Sequence, residues 1–340
     1  MFIRELDPAR VDADFAAVWP AWREFSGMAF HEAFRWGAGQ LRMDTGPTHA
    51  SDGLTLAAFA DPADAEAVAF TFVRLGTEEN LDLGEAIVVL RAEQEKDADG
   101  AAAAALLTAT RERLAAMGRR RLSITLPAAS PPGYAPLLAG RPAFTSVCSA
   151  LDLTGTDAAQ LDAWAEPSPA NAAYRLVRWV GRCPDELAAS YAAALEAMDD
   201  APQEDLGMEH PRMSRERLRA QEDSHARYGM QPHVVAAVTA DGEIGGSCML
   251  GRFPDEPDNL GIWNTSVARS HRGHGLGLRI KAESTRWLRE LHPDARWIYT
   301  FNNHGNEHMR AINRRMGYKE LRTWHIYVGA LEATAGPAAA

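Results

Sequence analysis

The chain has 340 residues, 46% hydrophobic and 24% charged, with a formal net charge of -11. That composition supplies cores for two domains of ordinary size, and the acidic balance argues against nonspecific attraction to nucleic acid or an anionic membrane. The opening MFIRELDPAR lacks a basic-then-apolar leader pattern, no stretch approaches the ~20 apolar residues of a membrane span, and Cys148, Cys183 and Cys248 have neither disulfide-framework nor zinc spacing, so a cytoplasmic protein is expected.

Phe2 to Leu6 reads as a strand, and Val11 to Phe34 has helical spacing that Pro20 interrupts, which predicts two short helices. Leu54–Ala60 and Ala65–Leu75 flank the turn signal Asp61-Pro62 as a hairpin, and Leu81–Arg91 adds a third strand. Ala101–Met117 is a helix stopped by Gly118, Arg121–Leu126 a strand, and Phe144–Leu153 the strand expected to close this unit. The turn before that helix carries Glu93, Glu95, Asp97 and Asp99, which would repel a phosphate, so no anion site is expected here.

Thr154 to Ala173 mixes turn formers with alanine and contains Pro167-Ser168-Pro169, the composition of a linker. The expected organisation is a first domain over 1–155, a linker over 156–173, a second domain over 174–330 and a flexible tail over 331–340. Tyr174–Gly181 alternates like a strand, Cys183-Pro184 opens a helix with Leu187, Tyr191, Leu195 and Met198 on its buried stripe, and Asp199–Pro211 is an acidic loop. A second helix runs from Ser214 to a stop at Gly229 with Leu218, Gln221, His225 and Tyr228 on one side. His233–Thr239, Glu243–Arg252 and Leu260–Val267 follow as strands.

The stretch TSVARSHRGHGLGLRIK, Thr265 to Lys281, then hands a strand over to a helix through Arg272-Gly273-His274-Gly275-Leu276-Gly277. Glycines at alternate positions open backbone conformations closed to other residues, and the helix start adds unsatisfied N–H donors and a partial positive charge. Such a turn is a cradle for an anion, and a pyrophosphate suits it. The helix continues to Leu291 with Leu276, Ile280, Trp287, Leu288 and Leu291 inward and charged residues outward. Arg296–Phe301 is a strand, Asn306–Met316 a short helix ended by Gly317, and Lys319–Val328 a last strand. The two halves repeat one element order, which predicts an α+β fold: two tandem domains, each a mixed, mostly antiparallel sheet flanked by helices.

Strand, VARSHRGHGLG, helix, strand and then NEHMRAINRRMGY resembles the acyl-CoA-binding core of the GCN5-related N-acetyltransferase (GNAT) superfamily. Arg272, Gly275 and Gly277 match its Gln/Arg-x-x-Gly-x-Gly/Ala motif, and Asn303, Asn306, Asn313 and Gly317-Tyr318 match the second element. The doubled arrangement resembles the tandem acetyltransferases of actinobacteria, mycothiol synthase among them; the match is specific over roughly 230–328 and architectural before that.

The resemblance implies acetyl-CoA as cosubstrate, no metal, and attack of a small-molecule primary amine on the thioester. It also implies that the strand before the cradle splays from its neighbour so that Ser266, Val267 and Ala268 take the pantetheine arm. In the same way Arg272, Gly273, His274, Gly275, Leu276 and Gly277 take the pyrophosphate, and Asn303, Asn306 and Asn313 complete the cofactor contacts. Two departures stand out. Asn313 occupies the place where relatives often carry a tyrosine acid, and Trp263-Asn264-Thr265 lacks the strand carboxylate, leaving Asn264 at that place. Glu209, with His210 and Asp205 beside it, is the candidate base. Other readings are a non-catalytic acyl-CoA-binding module and a protein lysine acetyltransferase. A monomer or homodimer without nucleic-acid or membrane partners is expected. His304-Gly305-Asn306-Glu307-His308 satisfies the zinc pattern H-x-x-E-H, but a turn and helix cap at Gly305-Asn306 would keep the histidines off one helical face.

Overall fold

The computed structural model describes residues 1–331 except 8, 10–11, 30–35, 139–140, 197–206 and 210. The first half comprises β1 (Phe2–Leu6), α1 (Ala13–Ala29), α2 (Ala38–Thr45), β2 (Ser51–Phe59), β3 (Ala69–Gly76), β4 (Leu83–Leu90), α3 (Ala92–Glu95), α4 (Ala101–Ala116), β5 (Arg121–Pro127) and β6 (Phe144–Asp152). Helix α5 (Ala158–Ala165) lies in the predicted linker. The second half comprises β7 (Arg175–Val180), α6 (Ala188–Glu196), α7 (Arg215–Arg227), β8 (Gln231–Val238), β9 (Ile244–Arg252), β10 (Asn259–Val267), α8 (Leu276–Leu291), β11 (Trp297–Asn303), α9 (Glu307–Met316) and β12 (Lys319–Ala330).

Both faces of the sheet are covered, and the period-two side-chain alternation of a strand divides each strand between two cores. Leu54, Leu56 and Ala58 of β2 belong to the core that includes Leu106 and Leu114 of α4, whereas Ala57 and Phe59 join Val18, Trp22 and Phe25 of α1. In the second half, Val235, Cys248 and Leu250 pack with Leu276 and Ile280 of α8, and Val234, Ala236 and Met249 pack with Tyr191 of α6 and Leu218 of α7. Helix α1 runs through Pro20 unbroken, against the expected two helices. Proline removes an N–H and crowds the preceding turn. Ala17 C=O, in that turn, accepts from Ala67 N–H at 2.8 Å, and the buried Val18, Trp22 and Phe25 keep the helix on the sheet.

Among the described residues the strands form one 12-stranded sheet in the order β1-β2-β3-β4-β5-β12-β6-β11-β10-β9-β8-β7. The expectation that Phe144–Leu153 closes the first unit is therefore corrected. Strand β6 pairs antiparallel with β11 from Trp297↔Asp152 to Asn303↔Ser146, and β12 inserts between β5 and β6. Each half is completed by the other's last strand. The linker expectation changes as well, because α5 lies against α8 and buries Leu161 and Ala165 in the core of the second half.

Candidate functional site

Strands β10 and β11 pair in parallel only from Asn259↔Trp297 to Ile262↔Thr300. A bulge follows: Ile262 opposes Leu250 and Asn264 opposes Met249, which leaves Trp263 as the extra residue. From there β10 stays with β9 through Val267, while β11 stays with β6 through Asn303. The facing edges of Asn264–Val267 and Phe301–Asn303 part, and the peptide groups of those edges that point into the gap are suited to add a strand-like ligand. Phe301, at the mouth, is exposed.

The end of β10 leads into the cradle. Ala268 N–H donates to Gly245 O at 3.0 Å and Arg272 Nε to Val267 O at 3.1 Å, which folds the loop back on the strand. The N–H of Ala268 is therefore engaged within the protein. Gly273 and Gly275 have φ of +85° and +74°, the left-handed region that favours glycine, and Gly275 caps α8. A Cβ at Gly273 would meet nothing within 4 Å, and one at Gly275 only Asn171 Nδ2 at 3.7 Å, so the cradle opens to solvent above the first-turn N–H groups of α8. Gly277, by contrast, lies under Ile312 and serves helix packing.

The joint between the halves braces this loop from below. Asn171 Nδ2 donates to His274 O at 3.0 Å, and His274 Nδ1 bonds to Ala170 O at 3.0 Å. Buried Arg279 donates to the carbonyls of Ala165, Asn171 and Tyr174 at 2.9–3.0 Å. Tyr174 hydroxyl pairs with His271 Nδ1 at 2.9 Å. Arg279, Lys281 and Glu283 are all buried and Leu291 is exposed, which corrects the expectation of an outward charged face and an inward Leu291.

Asn303 and Asn306 build the turn into α9. Asn303 Oδ1 accepts from Gly305 N–H at 2.7 Å, and Asn306 Oδ1 caps the helix at Met309 N–H at 3.1 Å. His304 thus sits in the turn before the helix and His308 within it. Asn313 is buried; it accepts from Lys281 Nζ at 2.6 Å and donates to Asn302 Oδ1 at 2.7 Å.

The candidate base Glu209 lies against the first half. Glu209 is exposed and clasps Asn80, in the β3–β4 turn of the first half: its carboxylate accepts from Asn80 N–H at 3.0 Å, its own N–H donates to Asn80 Oδ1 at 2.8 Å, and its C=O accepts from Asn80 Nδ2 at 3.1 Å. The carboxylate lines a cleft of about 700 Å³ with His49, Glu79 and Arg217 and is not hydrogen-bonded to the gap among the described residues. His210 and Asp205 lie outside the described residues. Asn264 is buried with Oδ1 unpartnered among the described residues.

His225, one of the residues on the helical stripe of α7, has its ring edge-on to Trp263 at 6.0 Å, its Nδ1 has no partner among the described residues, and burial pushes its pKa down to about 4, so it is neutral at pH 7. Trp263 also packs on Met43 of the first half and on Met230 and Phe253, forming an interdomain wall beside the bulge.

The equivalent place in the first half is filled. Strands β4 and β5 pair in parallel from Leu83↔Arg121 to Ile87↔Thr125, and the chain after β5 then folds over the start of α4. Tyr134 is fully buried there with its hydroxyl 3.3 Å from Glu95 Oε1. A Cβ at Gly100, the α4 cap, would meet Pro136 Cδ at 2.6 Å, and Asp97 accepts from Ala101 N–H at 3.4 Å. A proline and a carboxylate occupy the helix start where an anion would sit.

Residues 195–318 match the Acetyltransferase (GNAT) family model. No curated protein matches the chain. Among solved structures, the tandem GNAT protein from the clavulanic acid biosynthesis pathway, without AcCoA, is 19% identical with a TM-score of 0.74, over 98% of this chain and 100% of that one. A GCN5-related N-acetyltransferase from Sphaerobacter thermophilus is 15% identical with a TM-score of 0.61, over 97% and 96%. These likenesses establish the tandem GNAT fold and are not specific to mycothiol synthase.

Proposed function

We propose, from the match of residues 195–318 to the GNAT acetyltransferase family model, that the second half binds acetyl-CoA and passes its acetyl group to the primary amine of a small molecule. The observation that carries the reading is the parting of β10 from β11 directly ahead of an open cradle with two left-handed glycines. The Ser266–Val267 edge would hold the pantetheine amides, and the N–H groups from Gly273 to Gly277 the pyrophosphate, with the α8 dipole behind them. Acetyl-CoA supplies an activated thioester carbonyl. The protein supplies a backbone donor near Val267 for its oxygen, the Trp263 wall that excludes water, and unpartnered acceptors, Asn264 Oδ1 and neutral His225 Nδ1, for the N–H groups of the incoming amine. The first half, its own gap filled by Tyr134 and Pro136, acts as a wall of the acceptor cleft through Met43.

Calorimetric titration with acetyl-CoA tests this reading: one site per chain is expected, and Gly275→Glu abolishes it. Thiol release is then followed across a panel of primary amines that includes lysine peptides. Two sites, or none, would refute the reading, and tight binding without thiol release from any amine would favour the non-catalytic module.

A further inference from the structure

Beneath the gap lies a charge that the chemistry above does not use. Lys281, in the second turn of α8, is 1% exposed. Its Nζ lies 2.6 Å from Asn313 Oδ1 and 4.7 Å from the centre of the Tyr318 ring, and among the described residues no carboxylate pairs with it. An ammonium taken out of water without a counter-charge is costly, and a neutral amide and a ring face compensate only part of that cost. Burial accordingly lowers its pKa to about 8, and the titratable neighbour that raises it is Cys248. The dipole of α8 adds nothing favourable, because Lys281 is nearer the positive end.

The position of this charge is specific. Asn313 links it to Asn302, which lies on the part of β11 that has left β10, and Thr265, on the facing edge of β10, is bonded to Cys248 Sγ at 3.3 Å. Lys281 therefore sits at the floor of the gap between the two parted strands. An ammonium donating to an amide oxygen polarises that amide and strengthens its N–H donors. One N–H of Asn313 goes to Asn302, and among the described residues no second acceptor is recorded for Nδ2.

We propose that Lys281, acting through Asn313, is a positioning residue for the thiolate that leaves in the gap. The proposal rests on the acetyl-CoA reading above. In the transfer, the amine nitrogen bonds to the thioester carbonyl carbon, the C–S bond breaks with its electron pair passing to sulfur, and the proton lost by the amine leaves to solvent. The charge on sulfur then meets the second Asn313 N–H and, behind it, the one buried ammonium at the floor. The anion that Lys281 lacks in the protein alone is the one the reaction produces.

The test compares CoA with acetyl-CoA, since only CoA carries a thiol. Both are titrated into the wild type, Lys281→Met and Asn313→Asp, and the thiolate absorption of bound CoA is followed from pH 6 to 9. Methionine preserves the stem and removes the charge; aspartate neutralises Lys281 within the pair and removes the donor. The bound thiol of the wild type is expected to titrate at least one unit lower than in either variant, a tenfold change in its ionisation constant. The CoA to acetyl-CoA affinity ratio at pH 8 should fall at least about fivefold in both variants. A ratio and a thiol titration unchanged in whichever variants fold would overturn the proposal. Failure of the wild type to bind either nucleotide would instead remove the acetyl-CoA reading and this inference with it.

Discussion

Replacing Arg279 with methionine tests whether the joint between the halves keeps the cradle in shape. The guanidinium is 7% exposed and donates to four acceptors: Ala165 O at 3.0 Å, Asn171 O at 2.9 Å, Tyr174 O at 3.0 Å and Asn171 Oδ1 at 3.3 Å. Methionine leaves the carbonyls of Ala165 and Tyr174 short of a donor, at ~1–3 kcal/mol for each one that stays buried and unsatisfied, while Asn171 C=O keeps Tyr174 N–H at 3.1 Å. Two effects reduce the sum: the loop can rehydrate, and desolvation of the guanidinium, which lowers its pKa, is no longer incurred. A net loss of ~3 kcal/mol follows. Unfolding entropy for 340 residues is ~0.7 kcal/mol/K, so Tm should fall by roughly 4 °C. Binding supplies a second readout. Asn171 loses its anchor but still carries His274 O, so the loop between Gly273 and Gly275 loosens and acetyl-CoA affinity should fall about tenfold, ~1.4 kcal/mol. Calorimetric melting and titration on one preparation measure both. Arg279→Lys should recover less than half of each loss, because one ammonium cannot reproduce the guanidinium fork. A methionine variant that melts within 1 °C of wild type, by the ~0.7 kcal/mol/K scale, and binds acetyl-CoA equally well would refute the bracing argument.

Three other outcomes follow from the same geometry. Gly275→Ala should cost only ~1 kcal/mol of stability, because the strain is that of φ +74° and its methyl has room, yet lower acetyl-CoA affinity tenfold or more; equal affinity by titration would show that the anion does not approach this backbone. Glu256 accepts from Gly37 N–H across the interface, and burial raises its pKa from 4.5 to about 8. The folded state keeps a proton that the unfolded chain has lost, so this contribution is full below about pH 4.5 and is lost as pH rises through about 8. Wild-type Tm should therefore drop more steeply between pH 5 and 8.5 than that of Glu256→Gln, and parallel profiles would remove Glu256 as the cause. Residues 1–155 expressed alone lack β12 and β11 as partners for β5 and β6, and should show no cooperative melting transition by circular dichroism; a sharp one would mean that the exchanged strands are dispensable.

The sequence made the element order and the cradle legible because both depend on local signals: alternation, helical period, and glycines where a strand meets a helix. The exchange of β6 and β12 has no local signal, since pairing across more than 140 positions depends on what the rest of the sheet leaves open. Pro20 reads as a helix breaker in isolation and is overridden by the burial of Trp22 and Phe25. Charged residues on α8 read as an outer face, but the sheet, α5 and α9 contact this helix on different sides, so Arg279, Lys281 and Glu283 fall inside. The acidic turn at Glu93–Asp99 is a local signal, whereas the side chains packed over the α4 start and beside it, Pro136 and Tyr134, lie some forty positions later in the chain. The Asn80 clasp of Glu209 was likewise illegible, because the acidic composition around Glu209 says nothing of a partner 129 positions earlier in the chain.

A gap cut into a sheet has to be kept from closing, because two parted edges gain hydrogen bonds by rejoining. Here each edge is held from behind: β10 by β9, and β11 by β6 along its full length, from Trp297 to Asn303. The strand that holds β11 comes from the first half, and β12 carries the chain from Tyr318, over which Lys281 lies, back between β5 and β6. The first half therefore acts on the gap through its strands and not through a helix start of its own. Tyr134 is buried in its core and Pro136 covers its helix start. Because β6 holds β11, a variant that loosens the first half should weaken acetyl-CoA binding in the second without touching a single cofactor contact.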